Sequence, residues 1–279
     1  SSGGRKLPKD APSPFAERRR LLDTILSRFT AEGCEAHIAT GPNVATVGIP
    51  GAHYALDSLP FLVAFLAGLG VRPEPLWPDD ETLAVGDRRC TSSSACAPVK
   101  LVHGVARGDL PFLLMPVFVS LPRLSSGCGT ATCPMAQGTP EMVEYALAAE
   151  GAEARVLRPV VLKLEHGFGS RQFAAEWLAF WSGVEEPVLK RSPGALWRAY
   201  RQAVAAQEEY MRGLQEIGQR ALDFGRREGY PMVLVAGETH IALDPAMNAG
   251  IPELLADNGA VAIPVDCFPI PDSIPPLAR

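Results

Sequence analysis

The stretch 44-VATVGIPGAHYALDSLPFLVAFLAGLGV-71 decides the fold. Its first eight residues are an apolar run closed by Gly and Pro, the pattern of a buried strand. A short loop with His53 follows. Then 59-LPFLVAFLAGL-69 is apolar on every side, yet too short and too rich in Pro and Gly to span a bilayer, which takes about 20 residues. It reads as a helix (58–70) buried in a protein core. A buried strand feeding a buried helix is the first half of a parallel βαβ unit.

Working outward, the pattern repeats. A strand is expected at 71-VRPEPLW-77, weakened by its prolines. A cysteine-bearing loop, 87–97, leads into a helix from Pro98 to about Arg107. The fully apolar 112-FLLMPVFVS-120 suits a parallel sheet covered on both faces. Loop 121–138 carries two more cysteines, and a helix starts with Thr139 as cap and Pro140 and Glu141 in its first turn. A strand at 155-RVLRPVVLKL-164 opens a second set: helices at 170–183 and 194–228, strand 232-MVLVAGE-238, helix 250–258 and strand 260-AVAIPVD-266. Residues 1–15 read as a tail or linker, and 16–32 as a helix. The expected architecture is α/β: two Rossmann-like lobes with mostly parallel sheets, 16–150 and 151–279, with a cleft between them. Functional loops are expected at the carboxyl ends of the strands.

Composition narrows the partners. The net charge is −5 over 279 residues, so no basic surface invites nucleic acid, and 17-ERRR-20 reads as a solvated helix face. No segment suits a membrane span and no signal peptide is visible, so a cytoplasmic protein with reduced thiols is the expectation. The chain opens Ser-Ser-Gly-Gly without Met, so we expect a fragment or processed form with partner domains elsewhere. Six cysteines (34, 90, 96, 128, 133 and 267) in a chain so well supplied with core residues do not form a disulfide scaffold.

The stretch 90-CTSSSACAPVKLVHG-104 raises the chemical question. Cys96 precedes a helix, Cys133 follows the 112–120 strand, and Cys267 follows the last strand. Three thiols on three strand-end loops can converge in one cleft. The oriented N–H groups of a helix N-terminus suit a negatively charged ligand, and the small residues of TSSSA and SSGCGTA let backbone approach a cluster. Against this, a lone Cys is commonly a small buried hydrophobe, the reading preferred for Cys34. The spacings C-x5-C and C-x4-C match neither a zinc knuckle nor a ferredoxin string. Core cysteine, metal or cluster ligand, and nucleophile all stay open. The turn 48-GIPG-51 lacks G-x-G-x-x-G, which disfavours a nicotinamide cofactor. Glu238 and His240 lie just past a strand, where binding residues collect. Asp244-Pro245 and Asn248 read first as turn and capping chemistry for helix 250–258.

Three stretches carry a resemblance: 47-VGIPGAHYALDSLPFLVAFLAGLGV-71, 96-CAPVKLVHG-104 and 230-YPMVLVAGETHIALDPAMNAGIPELLADNGAVAI-263. They resemble the activase-related relatives of the 2-hydroxyacyl-CoA dehydratase and benzoyl-CoA reductase superfamily. Cys96, Pro98, Lys100, His103 and Gly104 fit a Cys-x-Pro-x-Lys-x-x-His-Gly pattern, and Cys133-Pro134 fits a later Asn-Cys-Pro. Gly237, Asp244, Pro245, Asn248, Gly250 and Ile251 fit the last signature, with His240 at or beside the family's His. Three departures stand out: Gly51 for an Arg, Thr132 for an Asn, and Glu238-Thr239 for an Arg-Pro. The resemblance implies an iron–sulfur cluster, [4Fe-4S] or double-cubane, on Cys96 and Cys133, with Cys267 third and Cys128 its rival. It implies Lys100, His103, His53, Glu238, His240 and Asn248 around the cluster and substrate. The implied partners are an activase ATPase, as a separate chain or another part of the same polypeptide, and an acyl-CoA or other small acceptor. The implied setting is anaerobic, ATP-dependent, low-potential electron transfer. A metal-free docking domain for an activase and a zinc or thiol enzyme on a Rossmann-like scaffold stay open beside it.

Overall fold

The computed structural model describes residues 6–30, 44–122, 130–238, 242–245 and 247–269. Contacts divide the chain into two units, residues 26–207 with 275–279, and residues 1–25 with 208–274. The expected boundary at 150/151 falls inside the larger unit.

The larger unit is built on β1 (Thr46–Pro50), β2 (Arg72–Leu76), β3 (Phe112–Leu114) and β5 (Arg155–Leu157), with β4 (Val117–Phe118) and β6 (Val160–Val161) as a second pair. The four-stranded sheet has the order β2-β1-β3-β5, with every neighbouring pair parallel. From β1 the chain steps outward to β2, then returns to place β3 on the other side of β1. The strand order therefore reverses between β1 and β3, the point at which open α/β sheets leave a crevice. The strand at 155, expected to open a new lobe, instead pairs with β3, which is why 150/151 is no boundary here.

Residues 112–120 and 155–164 were each expected as one strand. Each is interrupted by an X-Pro step, Met115-Pro116 and Arg158-Pro159, because proline has no N–H for the ladder. The two chains stay side by side across the break. Met115 N–H donates to Leu157 O at 2.9 Å and Val117 N–H to Pro159 O at 2.9 Å, and β4 then pairs parallel with β6.

Helix α2 (Ala55–Gly68) is buried along almost its whole length, as its sequence demands. An aromatic cluster packs against it: Phe61 and Phe65 meet Trp177 at ring-centroid distances of 5.0 and 5.2 Å, and Phe61 meets Phe173 at 5.2 Å. Phe173 and Trp177 come from α6 (Arg171–Ser182), capped by the Ser170 hydroxyl, which accepts from Phe173 N–H. Gln207, on α7 (Pro193–Glu228), reaches the backbone of α2. Its carboxamide accepts from Phe61 N–H at 3.2 Å and donates to Asp57 O at 2.8 Å. A side chain inserted into a helix ladder keeps both groups satisfied in the core.

Helices α3 (Thr82–Arg89), α4 (Ala97–Val105) and α5 (Pro134–Ala149) complete this unit. Two expectations are corrected here. The 87–97 loop begins only at Cys90, because α3 runs to Arg89. Helix α5 starts at Pro134, not at a Thr139 cap. Pro134 occupies the first helical position, and Thr139 donates its hydroxyl to Met135 O at 2.8 Å inside the helix.

The smaller unit contains the first part of α1 (Pro14–Thr30), the remainder of α7, and the parallel pair β7 (Met232–Val235) and β8 (Val261–Pro264). It also holds α8 (Ile251–Asp257) and a 3-10 turn at Val265–Cys267. Glycines on α7 let neighbours close in: a β-carbon on Gly218 would collide with the Cys267 carbonyl oxygen, and one on Gly213 would stand 2.6 Å from Leu21. Arg18 donates to Asp266 at 2.7 Å, with side chains only 5% and 21% exposed. A second Rossmann-like lobe is not what the described residues form: this unit's sheet has two strands. Among the described residues, no helix is long and apolar enough to cross a membrane.

Candidate functional site

An open cleft of about 410 Å³, solvent at its mouth included, lies at the strand-order reversal. Pro50, Ala52 and His53 come from the end of β1, Met115, Pro116 and Phe118 from the end of β3 and β4, and Ala136, Thr139 and Pro140 from the first turns of α5. His53 sits at φ +55°, a left-handed backbone that a non-glycine residue adopts at a cost of order 1–3 kcal/mol. Its Nδ1 accepts from Tyr54 N–H at 2.8 Å, which places the neutral ring's proton on Nε2. Gly51, standing where the resemblance has Arg, has a physical reason: a β-carbon there would press on the Trp77 ring at 2.8 Å.

Cys96 and Cys133 occupy equivalent positions. Each is the N-cap of its helix, α4 or α5, with extended backbone, an exposed side chain and a proline within the next two residues. Their carbonyls accept the first helical bonds, from Lys100 N–H and Gln137 N–H, both at 3.1 Å. Neither helix has a side-chain cap, so first-turn N–H groups remain for a negative ligand.

The two N-termini meet around one small hydrophobic cluster. Cys90, Ala95 and Val99 form it, and Met135 and Met142 of α5 pack against it. Ala95 immediately precedes Cys96, and Met135 lies two residues past Cys133. Helical spacing puts Cys96, Val99 and Val102 on one face of α4, and Cys133, Ala136 and Pro140 on one face of α5. Val102, Ala136 and Pro140 line the cleft, so both thiols sit at the ends of faces that lead into it.

Cys133 is held from behind by Thr132, the residue standing where the resemblance has Asn. Thr132 is buried, its hydroxyl donates to Phe118 O, and its N–H donates to Val119 O at 3.1 Å. Gln137 closes the turn by donating to Thr132 O at 3.2 Å and Oγ1 at 3.1 Å.

Cys96 is positioned by the α3–α4 pair. Lys100 Nζ donates to Asp87 Oδ1 of α3 at 2.5 Å, and that hydrogen bond raises the Lys100 pKa and lowers that of Asp87. Arg89 donates to the carbonyls of His103 and Ala106, both at 2.6 Å, closing the C-terminal turn of α4, and its Nε donates to Glu150 at 2.8 Å. His103 is only 1% exposed and neither ring nitrogen has a hydrogen-bond partner among the described residues. Burial first, and the Arg89 charge second, push its pKa down to about 4. At neutral pH it is an uncharged imidazole inside the helix packing.

Cys267, Glu238 and Asn248 belong to the smaller unit. Cys267 is fully buried, and burial, aided by the Asp266 carboxylate, pushes its thiol far up from its ordinary range. Glu238 is exposed just after β7. Asn248 is buried, its Oδ1 accepts from Gly250 N–H at 3.0 Å, and its carbonyl accepts from Ile251 N–H at 3.1 Å. It shapes the turn into α8, where Ala249 and Gly250 both have positive φ. Cys128 and His240 lie outside the described residues, as does Cys34. Among the described residues, no group of three His, Cys, Asp or Glu side chains is placed to hold a metal ion.

Residue patterns gave no signal for Asp87 and Arg89, since residues 87–89, the end of α3, were read as part of the cysteine loop. The prolines 50, 116 and 140 were visible, but as strand and helix punctuation. Only the fold shows that they gather at one cleft.

No curated protein and no solved structure matches the chain. Residues 46–268 match the family described as CoA enzyme activase uncharacterised domain (DUF2229), which spans both cysteine N-caps, the cleft and the smaller unit's sheet. The chain belongs to this CoA enzyme activase domain family.

Proposed function

We propose that the chain is the cluster-binding component of an ATP-dependent, low-potential electron-transfer system, working in the cytoplasm with an activase ATPase. The observation that carries the reading is that Cys96 and Cys133 are both exposed N-caps, on helices that pack against one hydrophobic cluster. Thiolate ligands at uncapped helix N-termini fit an iron–sulfur cluster, whose negative sulfurs accept N–H donors. A bound cluster would supply one-electron chemistry. The chain's own residues then have separable tasks. Cys96 and Cys133 ligate, and Thr132 and Gln137 fix the α5 turn. The α3–α4 pair fixes the α4 turn, and the cleft receives the acceptor, an acyl-CoA or other small molecule. For a third thiol the reading prefers Cys128, five residues before Cys133, over Cys267, which is fully buried in the smaller unit.

Anaerobic purification with iron and acid-labile sulfide counts tests this, together with electron paramagnetic resonance of dithionite-reduced protein. The expected result is a brown protein with a reduced-cluster signal that Cys96→Ser and Cys133→Ser each abolish. A colourless, iron-free protein, or iron retained in both variants, overturns it.

One observation favours a second reading, a metal-free docking domain for the activase. Among the described residues the thiols form no group of three ligands. Under that reading, iron-free chain binds the ATPase as tightly as chain purified anaerobically.

A further inference from the structure

We propose that the open edge of β7 is a homodimer interface. Two copies of the chain pair there antiparallel about a two-fold axis and join their two-stranded sheets into one of four strands. No cysteine takes part, so the dimer is independent of the cluster proposed above.

An unpaired strand edge invites another strand, and proteins ordinarily blunt it with proline, charge or cover. The larger unit does so. β2 carries Pro73 and Pro75. On β5 and just past β6, carboxylates accept from the backbone: Glu144 from Val156 N–H at 3.3 Å, and Glu176 from Leu162 and Lys163 N–H at 2.9 and 3.1 Å.

In the smaller unit β8 is buried along its whole length, whereas β7 is not. The stretch 232-MVLVA-236 has neither charge nor proline, and Met232 and Leu234 are 36% and 45% exposed. Among the described residues β8 is its only strand partner. Val261 N–H donates to Pro231 O at 2.9 Å, with Met232 in register with Val261. Backbone groups alternate along a strand. Val233 and Val235 therefore turn theirs to β8, while Met232 and Leu234, with Ala236 just beyond, turn theirs outward.

Symmetry and charge name the occupant as a second copy. In an antiparallel pair about a two-fold axis, outward-facing residues stand opposite one another. One such register sets Leu234 against Leu234 and Met232 against Ala236, large beside small, with Val233 against Val235 on the other face. It also sets Glu238, which is exposed, against Tyr230. Tyr230 follows the basic last turn of α7, Arg226 and Arg227, and its hydroxyl donates to Lys6 O at 3.2 Å. A slip of two residues would set Glu238 against Glu228 instead. Five residues a side cover less than the roughly 1,200 Å² of a standard interface, so the dimer should dissociate on dilution.

Sedimentation velocity of the full chain across a wide concentration range tests this, with circular dichroism to check folding. The expected result is a reversible monomer–dimer equilibrium. Leu234→Lys puts two like charges opposite each other at the axis and should weaken it at least about tenfold. Leu234→Glu should do the same. An equimolar mixture of the two variants should dimerise again, because Lys and Glu then face each other. Should neither variant fold, Glu238→Arg, which meets the basic turn of the other copy, should weaken the dimer about threefold or more. A chain that stays monomeric throughout leaves the edge to a strand of another protein and overturns the proposal. A dimer that the folded variants leave intact overturns it too, as does a mixture of folded variants that stays monomeric.

Discussion

A β-carbon on Gly104 would collide with the carbonyl oxygen of Thr82, so α3 and α4 touch backbone to backbone. Gly86 makes the reciprocal approach, where a β-carbon would collide with Lys100 O. The Lys100–Asp87 ion pair spans the same joint. Gly104 of the Cys-x-Pro-x-Lys-x-x-His-Gly pattern thus holds the helix whose N-cap is Cys96, and Lys100 of the same pattern lies at the joint.

Gly104→Ala should therefore separate the helices. Overpacking against backbone has no flexible side chain to yield, and we expect a loss of about 3 kcal/mol or more in urea unfolding. An unchanged midpoint would show that the joint opens freely. Lys100→Gln should matter little, because the pair is exposed to solvent and screened.

His103 gives a pH signature. Its folded pKa is about 4 against an ordinary 6.5, so the unfolded chain takes up the proton first as pH falls. Its contribution is present above about pH 6.5, is lost on descending to about pH 4, and is flat below that. The loss is roughly 1–3 kcal/mol. Removing a buried imidazole with no hydrogen-bond partner should also help at neutral pH. His103→Leu is expected to unfold at higher urea than the parent at pH 7, with a flatter dependence between pH 6.5 and 4. Destabilisation at pH 7 would mean that the ring serves a bound group.

The cysteines should divide by burial. Cys90→Ser and Cys267→Ser put a hydroxyl where a thiol is packed, at a cost of about 1–3 kcal/mol, and should leave iron content unchanged. Cys96→Ser and Cys133→Ser should do the opposite, losing iron while melting near the parent temperature. Loss of iron on Cys267→Ser with stability intact would restore Cys267 as a ligand.

Arg18 and Asp266 form a largely buried ion pair in the smaller unit, and Asp266 Oδ1 has no hydrogen-bond partner among the described residues. Arg18→Met strands the carboxylate, with an expected cost of about 3–5 kcal/mol. Asp266→Asn should cost less, since the amide oxygen still accepts from Arg18, which also keeps its place over the Tyr210 ring. Thermal melts of both variants check the order, and equal losses would refute it.

Most elements were legible in the residues because their causes are local. Apolar runs marked β1, α2 and β3, and 3–4 residue spacing marked α7 over nearly its full length. Two failures were also local. Pro116 and Pro159 cut expected single strands in two, and Pro134 opened α5 earlier than Thr139 suggested, because a proline's effect depends on whether its missing N–H falls inside a ladder or at an end.

Local pattern by itself determined that the chain is α/β and that Cys96 sits beside a helix start, whereas the fold put Cys133 at one. Only the tertiary structure decided which strands share a sheet, and so where the order reverses and the cleft opens. It alone placed both cysteine N-caps around Cys90, Ala95 and Val99, and it gave Lys100 and Gly104 to the α3 joint. The reason is that strand pairing and helix contact join residues tens of positions apart, whereas capping, turns and periodicity are settled within a few residues.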